Sequence, residues 1–176
     1  MQKIIVIGTV HGGFTPDEEL KEVFEEYSPK QLFVEVAEEH VKKNKLKDYP
    51  PEMIFTLRWA KENKLQVNCF DIVGSVLKKG VTKKEIKDLI EESSELVKKS
   101  KLTWKDMNKE KNLKLLDTPN YLKISDRKKE KVRELKMLVN IKKAMLKSGT
   151  ILIVTGVGHL KFFEMHFKNA KFPFRK

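Results

Sequence analysis

The sequence predicts an α/β fold: a mainly parallel sheet of four or more strands flanked by helices, with a charge-rich helical insertion between the third and last major strands. Three observations carry this expectation. Four short runs rich in β-branched and apolar residues, 3–8, 31–36, 66–72 and 150–155, alternate with longer helical patterns, as parallel strands buried on both faces do. Helix-start and helix-stop residues punctuate the spaces between them. An apolar run near each end of the chain closes on the same pattern, Gly8-Thr9-Val10-His11 and Gly156-Val157-Gly158-His159. A buried parallel strand followed by a glycine turn delivers the next polar side chain to the carboxyl edge of the sheet, where ligands bind.

Taken in order, Thr15-Pro16-Asp17-Glu18 reads as a capping box with proline at the first helical position, followed by Leu20, Val23, Phe24 and Tyr27 at helical spacing. Ser28-Pro29 ends that helix. Pro50-Pro51 opens a second helix through Met53, Ile54, Leu57 and Trp59, closing near Asn63-Lys64. The first 72 residues thus read β-α-β-α-β. From 74 to 124 the chain turns to charge-rich helix, where Thr82-x-x-Glu85 is a second capping box. Ile86, Leu89, Ile90, Leu96 and Val97 form one apolar stripe there, which Trp104 and Met107 extend. This stretch reads as an insertion that partly caps the site, or as a subunit contact in a homodimer. A last long helix, from about Pro119 or Ser125 to Lys147, returns the chain to the final strand. All 176 residues fit one domain containing that insertion.

Composition narrows the function classes. The net charge is +12, from 37 Lys and Arg against 25 Asp and Glu, but the lysines are interspersed with glutamates on helical segments, as on a solvated face. No aromatic-rich strand motif, zinc-finger spacing or Gly-x-x-Gly clamp accompanies the charge, which argues against sequence-specific nucleic-acid recognition. The single cysteine, Cys69, excludes an internal disulfide framework and reads as a small buried hydrophobe in a reducing compartment, so the expected location is cytoplasmic. No apolar run approaches the ~20 residues of a transmembrane segment. Serine-hydrolase elbow, phosphate-binding loop and dinucleotide fingerprint are all missing, although Gly12-Gly13 offers backbone N–H groups suited to a small anion.

The chemistry-bearing residues fall at strand ends. Glu35 lies in Leu32-Phe33-Val34-Glu35-Val36, where an ionised carboxylate is expensive to bury without a partner. Asp71 occupies the matching place in Cys69-Phe70-Asp71-Ile72. His11, Glu35, Asp71 and His159 therefore share the carboxyl edge of four parallel strands, and two histidines with one carboxylate suit zinc, manganese, iron or cobalt while leaving positions open for water. A helix over 133–147 is about 21 Å long and the six residues 150–155 rise ~20 Å going back, so Arg133 lies level with His159. Arg133 also shares a face with Met137, Asn140, Ile141 and Ala144, which turns it toward the sheet as a charge clamp or oxyanion stabiliser. Arg58 and Arg127 lack both arguments, and His40 and His166 read as surface or packing residues.

These residues resemble a family. Gly8-Thr9-Val10-His11, Glu35 in Val34-Glu35-Val36, Arg133-Glu134-Leu135-Lys136-Met137 leading to Asn140-Ile141, and Gly156-Val157-Gly158-His159-Leu160 resemble the TraB/PrgY and Tiki superfamily. Its pattern is two Gly-x-x-His motifs with an intervening Glu and Arg. The resemblance implies an erythromycin-esterase-like or ChaN-like α/β core, and in the Tiki branch a divalent-metal-dependent protease. It implies His11, Glu35 and His159 as metal or active-site groups and Arg133 as the active-site arginine, in a minimal version without a transmembrane tail.

The expectation is a metal-dependent, peptidase-like hydrolase on a peptide or small-molecule substrate. His11, Glu35 and His159 would hold a divalent metal, Glu35 serving as ligand or general base. Arg133 would stabilise the oxyanion, and Asp71, Gly8, Gly12, Gly156 and Gly158 would support the site. Two other readings stay open: a non-catalytic module binding a peptide, haem or anion in the same cleft, and a basic interaction scaffold.

Overall fold

A computed structural model of the chain describes residues 1–47 and 49–175. Its four strands, β1 (Gln2–Thr9), β2 (Gln31–Ala37), β3 (Gln66–Asp71) and β4 (Gly149–Gly156), form one all-parallel sheet in the order β1-β4-β2-β3. The helices are α1 (Asp17–Tyr27), α2 (Glu38–Lys42), α3 (Pro51–Glu62), α4 (Lys83–Ser100), α5 (Trp104–Met107), α6 (Glu110–Leu113), α7 (Pro119–Ile124), α8 (Arg127–Ala144) and α9 (Leu160–His166). The predicted α/β class with parallel strands is the observed one. No helix among the described residues is long and apolar enough to cross a membrane.

Strand order sets the functional edge. The last strand, β4, inserts between β1 and β2, pairing Gly8 with Thr155 and Thr9 with Gly156, so the two glycine motifs run side by side. On its other flank β4 pairs Val154 with Val34, one residue before Glu35. All seven residues of β2 are buried, as expected for a central strand covered on both faces. The β2–β3 register shifts between Val34 and Ala37, giving β2 one extra residue where Glu35 stands. Such bulges re-aim side chains beside functional sites.

The outer edge of β1 is covered. Lys171 exchanges backbone hydrogen bonds with Ile4 and Val6, and two positions on, the Asn108 side chain satisfies both backbone groups of Gly8, at 2.9 and 2.7 Å. Asn108 follows α5 directly. Trp104 and Met107, read as continuing the α4 stripe, form this separate buried helix instead, because Thr103 restarts the chain with its own capping box. Within α4 itself only Val97 is buried, and Ile90 is 60% exposed.

Two local expectations are corrected. Thr15 does not cap α1, whose N-cap is Pro16; its hydroxyl instead accepts the Val10 N–H and bonds the Val10 carbonyl, closing the loop that carries His11. Of the two starts read for the last helix, Pro119 opens the separate α7 and Ser125 lies close to the observed start. The last helix begins at Arg127, because the Asp126 carboxylate accepts the Lys128 and Lys129 N–H groups as an N-cap. The Thr82–Glu85 capping box forms as read.

Gly8 is required by close approach. A Cβ there would stand 2.8 Å from Leu160 Cδ1 and 2.9 Å from the Val157 Cα, against the turn that presents His159, whereas one at Gly158 would meet nothing within 4 Å. Gly8→Ala is therefore expected to destabilise by about 1–3 kcal/mol through overpacking. Gly158→Ala is expected to stay within about 0.5 kcal/mol of wild type in urea unfolding, as substitutions free of steric conflict do.

Candidate functional site

Burying Glu35 creates the site. The residue is 7% exposed, and each carboxylate oxygen has its own partners. Oε2 accepts the Thr155 hydroxyl at 2.6 Å and the Gly156 N–H at 2.7 Å; Oε1 accepts from Arg133 Nη2 at 2.8 Å and lies 3.4 Å from His159 Nε2. Burial pushes the carboxyl pKa up, but the charges of His159, Arg133 and His11 and the hydrogen bond from His159 outweigh it and hold the group well below the usual range.

Arg133 reaches the sheet edge as the helix-length argument requires. On α8 it shares its inner face with buried Met137 and Ile141 and with Asn140, whose amide donates to the Phe70 carbonyl at 3.0 Å. Its guanidinium grips Asp71 through two nitrogens, Nε to Oδ1 at 2.8 Å and Nη2 to Oδ2 at 2.7 Å, and Nη2 also bridges to Glu35. Burial opposes the charge, but these two carboxylates raise the guanidinium pKa. Arg58 and Arg127 are more than half exposed and stand elsewhere.

The two histidines have matching supports. His159 donates Nδ1–H to Glu134 Oε1 at 2.8 Å, leaving Nε2 toward Glu35. His11 donates Nδ1–H to Glu52 Oε1, and its Nε2 lies 3.0 Å from the point a Gly156 Cβ would occupy, with Glu35 Oε2 3.5 Å from the same point. Gly156 is thus the gap that lets His11 and Glu35 flank one backbone position. Gly12, at φ 85°, and Gly13, at φ 82°, take the left-handed turn after His11 that glycine adopts without strain. The His159 side chain is 11% exposed and that of His11 48%. Burial lowers the His159 pKa, but the Glu35 charge and the hydrogen bonds to Glu134 and Glu35 raise it to about 10.

Glu52, Glu134 and Thr155 were not singled out in the sequence. Glu52 stands in the first turn of α3, where acids are common for helix-dipole reasons, and Glu134 is one of two glutamates on a lysine-rich helix. Thr155 ends a β-branched strand. His40 and His166 lie outside the cluster: His40 Nδ1 shares a hydrogen bond with the Tyr49 hydroxyl, and His166 Nδ1 meets the Phe162 carbonyl. Burial pushes the Cys69 thiol up to about 11, as for an inert packed cysteine.

A divalent ion can be tested against this donor set. Nδ1 anchored by a carboxylate with Nε2 turned inward is the usual support of a ligating histidine, and here it occurs twice. Two ligands on a tetrahedral ion lie about 3.4 Å apart for bonds of ~2.1 Å. The His159 Nε2–Glu35 Oε1 separation has that value; without metal Nε2 carries the proton it shares with Glu35, and a bound ion would take that proton's place. Among the described residues no three His, Cys, Asp or Glu side chains are grouped to hold an ion, so loading requires His11 to close in on the other two. Compared with family models, curated proteins and solved structures, the chain matches none.

Two outcomes follow from the charges. Arg133→Ala removes the only cation paired with Asp71 among the described residues and one of the two beside Glu35, and is expected to cost about 3–5 kcal/mol in chemical unfolding. Arg133→Lys should recover only part of this, because an ammonium cannot span Asp71 and Glu35 as a fork does. In chelator-treated protein, the His159 contribution is complete below its unfolded pKa near 6.5 and is lost as pH rises through about 10. The Tm gap between wild type and His159→Gln is therefore expected to be constant from pH 5 to 6.5 and to shrink steadily toward pH 10.

Proposed function

We propose that the protein is a divalent-metal-dependent hydrolase acting on peptide or other amide bonds, a relative of the TraB/PrgY and Tiki superfamily working in the cytoplasm. The observation that carries this reading is the paired anchoring: Glu52 holds His11 and Glu134 holds His159 through Nδ1, and both rings flank Glu35. Imidazole and carboxylate donors in that combination suit zinc, manganese, iron or cobalt.

His11, Glu35 and His159 would hold the ion. Once bound, it supplies Lewis acidity toward a carbonyl oxygen and toward water. Glu35 serves as ligand rather than general base, since a carboxylate whose pKa is held low, with Oε2 already accepting two hydrogen bonds, is a weak and immobile proton acceptor. Arg133 keeps Nη1 without a hydrogen-bond partner among the described residues, and this group is assigned to the oxyanion that forms as the carbonyl is attacked. Asp71 fixes the guanidinium in place.

Metal content of protein purified, stripped and reloaded with manganese, zinc or cobalt tests the reading. Wild type should bind about one ion per chain, and the double variant His11→Ala/His159→Ala should lose about 100-fold or more in affinity, beyond what losing a single supporting contact costs. Equal metal content in the two proteins would remove metal ligation, and with it this function.

A further inference from the structure

We propose that the cavity beside Arg133 is a binding pocket for the carboxylate end of a short aliphatic ligand. It measures about 310 Å³ and is bounded by the segment after β3 and the first two turns of α8. Ile72, Val76 and Val132 supply aliphatic walls, Lys128, Lys129 and Arg133 supply cations, and among the described residues no acidic side chain lines it. That volume falls at the small end of ligand pockets and takes one or two residues rather than a folded partner.

The cations differ in what already occupies them. Lys128 Nζ has no hydrogen bond or ion pair among the described residues. Lys129 Nζ donates to the Leu77 carbonyl and lies 3.8 Å from Asp126 Oδ2, and Arg133 holds Asp71 and Glu35, its Nη1 being the group assigned above to the oxyanion, so the ligand carboxylate falls to the two lysines. Both carboxylate oxygens of Asp71 are bound to Arg133. The pocket therefore pairs aliphatic surface with unused positive charge at one side, which fits an amphiphilic monoanion.

A phosphate is the poorer match. Phosphate sites at helix starts rely on free backbone N–H groups. At the start of α8 Asp126 has already taken those of Lys128 and Lys129. Arg133 is at once a wall of the cavity and a partner of Glu35, so this one side chain joins the pocket to the candidate metal centre. Specificity for carboxylate-terminated substrates rests on the hydrolase reading above; binding of the carboxylate itself does not.

The test is calorimetric titration of the full chain with N-acetyl-alanyl-valine, its C-terminal amide and inorganic phosphate, each with chelator and with manganese. The free acid should bind under both conditions. The amide should be weaker by about tenfold or more, the loss of one charge-assisted contact. Lys128→Ala/Lys129→Ala, both at exposed positions, should keep the wild-type Tm and lose about as much affinity for the acid. Acid and amide binding equally, phosphate binding as well as the acid, unchanged affinity in the double variant, or no binding of the acid at millimolar concentration would each overturn the pocket. Acid binding without cleavage by the metal-loaded protein would overturn the hydrolase reading and leave the pocket standing.

Discussion

The constraint on which this molecule depends is one carboxylate buried in its central strand. Glu35 stands where β2 is covered on both faces, and an ionised group there is tolerated only with full hydrogen bonding and opposite charge. Its four partners come from three separate places: the end of β4, the following turn and the first turns of α8. Any displacement of β4 from between β1 and β2, or of α8 along the sheet, uncouples the pair of charges. The burial thus ties the C-terminal third of the chain to the β-α-β-α-β unit that precedes it.

Glycine makes that convergence sterically possible. Gly8 lets the turn after β4 press against β1, and Gly156 leaves the space into which His11 and Glu35 both reach. In the register Gly8 opposite Thr155 and Thr9 opposite Gly156, each motif's glycine serves the other motif's histidine. A repeated Gly-x-x-His is therefore one interlocked device assembled from two ends of the chain. The insertion joins it through Asn108, which completes the hydrogen bonding of Gly8 from outside the sheet.

Much of this was legible in the residues. Parallel strands announce themselves as apolar runs, so the edge shared by His11, Glu35, Asp71 and His159 followed from where those runs stop. Arg133 was placed by helix rise against strand rise together with its helical face. Glu52 and Glu134 were not found, because an acid in a helix's first turn or on a lysine-rich helix has the same local pattern whether it meets water or a histidine. The side a glutamate faces is decided by how α3 and α8 lie on the sheet, which is tertiary information. Thr15 shows the same limit: with its sequence neighbours it matches the capping-box pattern, but the loop from Val10 competes for the hydroxyl and wins.

The site's meaning turns on whether the space between the two anchored rings is made for an ion. Crystals of the chain soaked in manganese and measured at the manganese absorption edge address this most directly. The account predicts one strong anomalous peak bonded to His159 Nε2 and Glu35, with the His11 ring turned in to meet it and its Glu52 bond kept. A map with no peak between these residues at saturating manganese, the Arg133–Glu35–His159 contacts remaining as they are without metal, would contradict it.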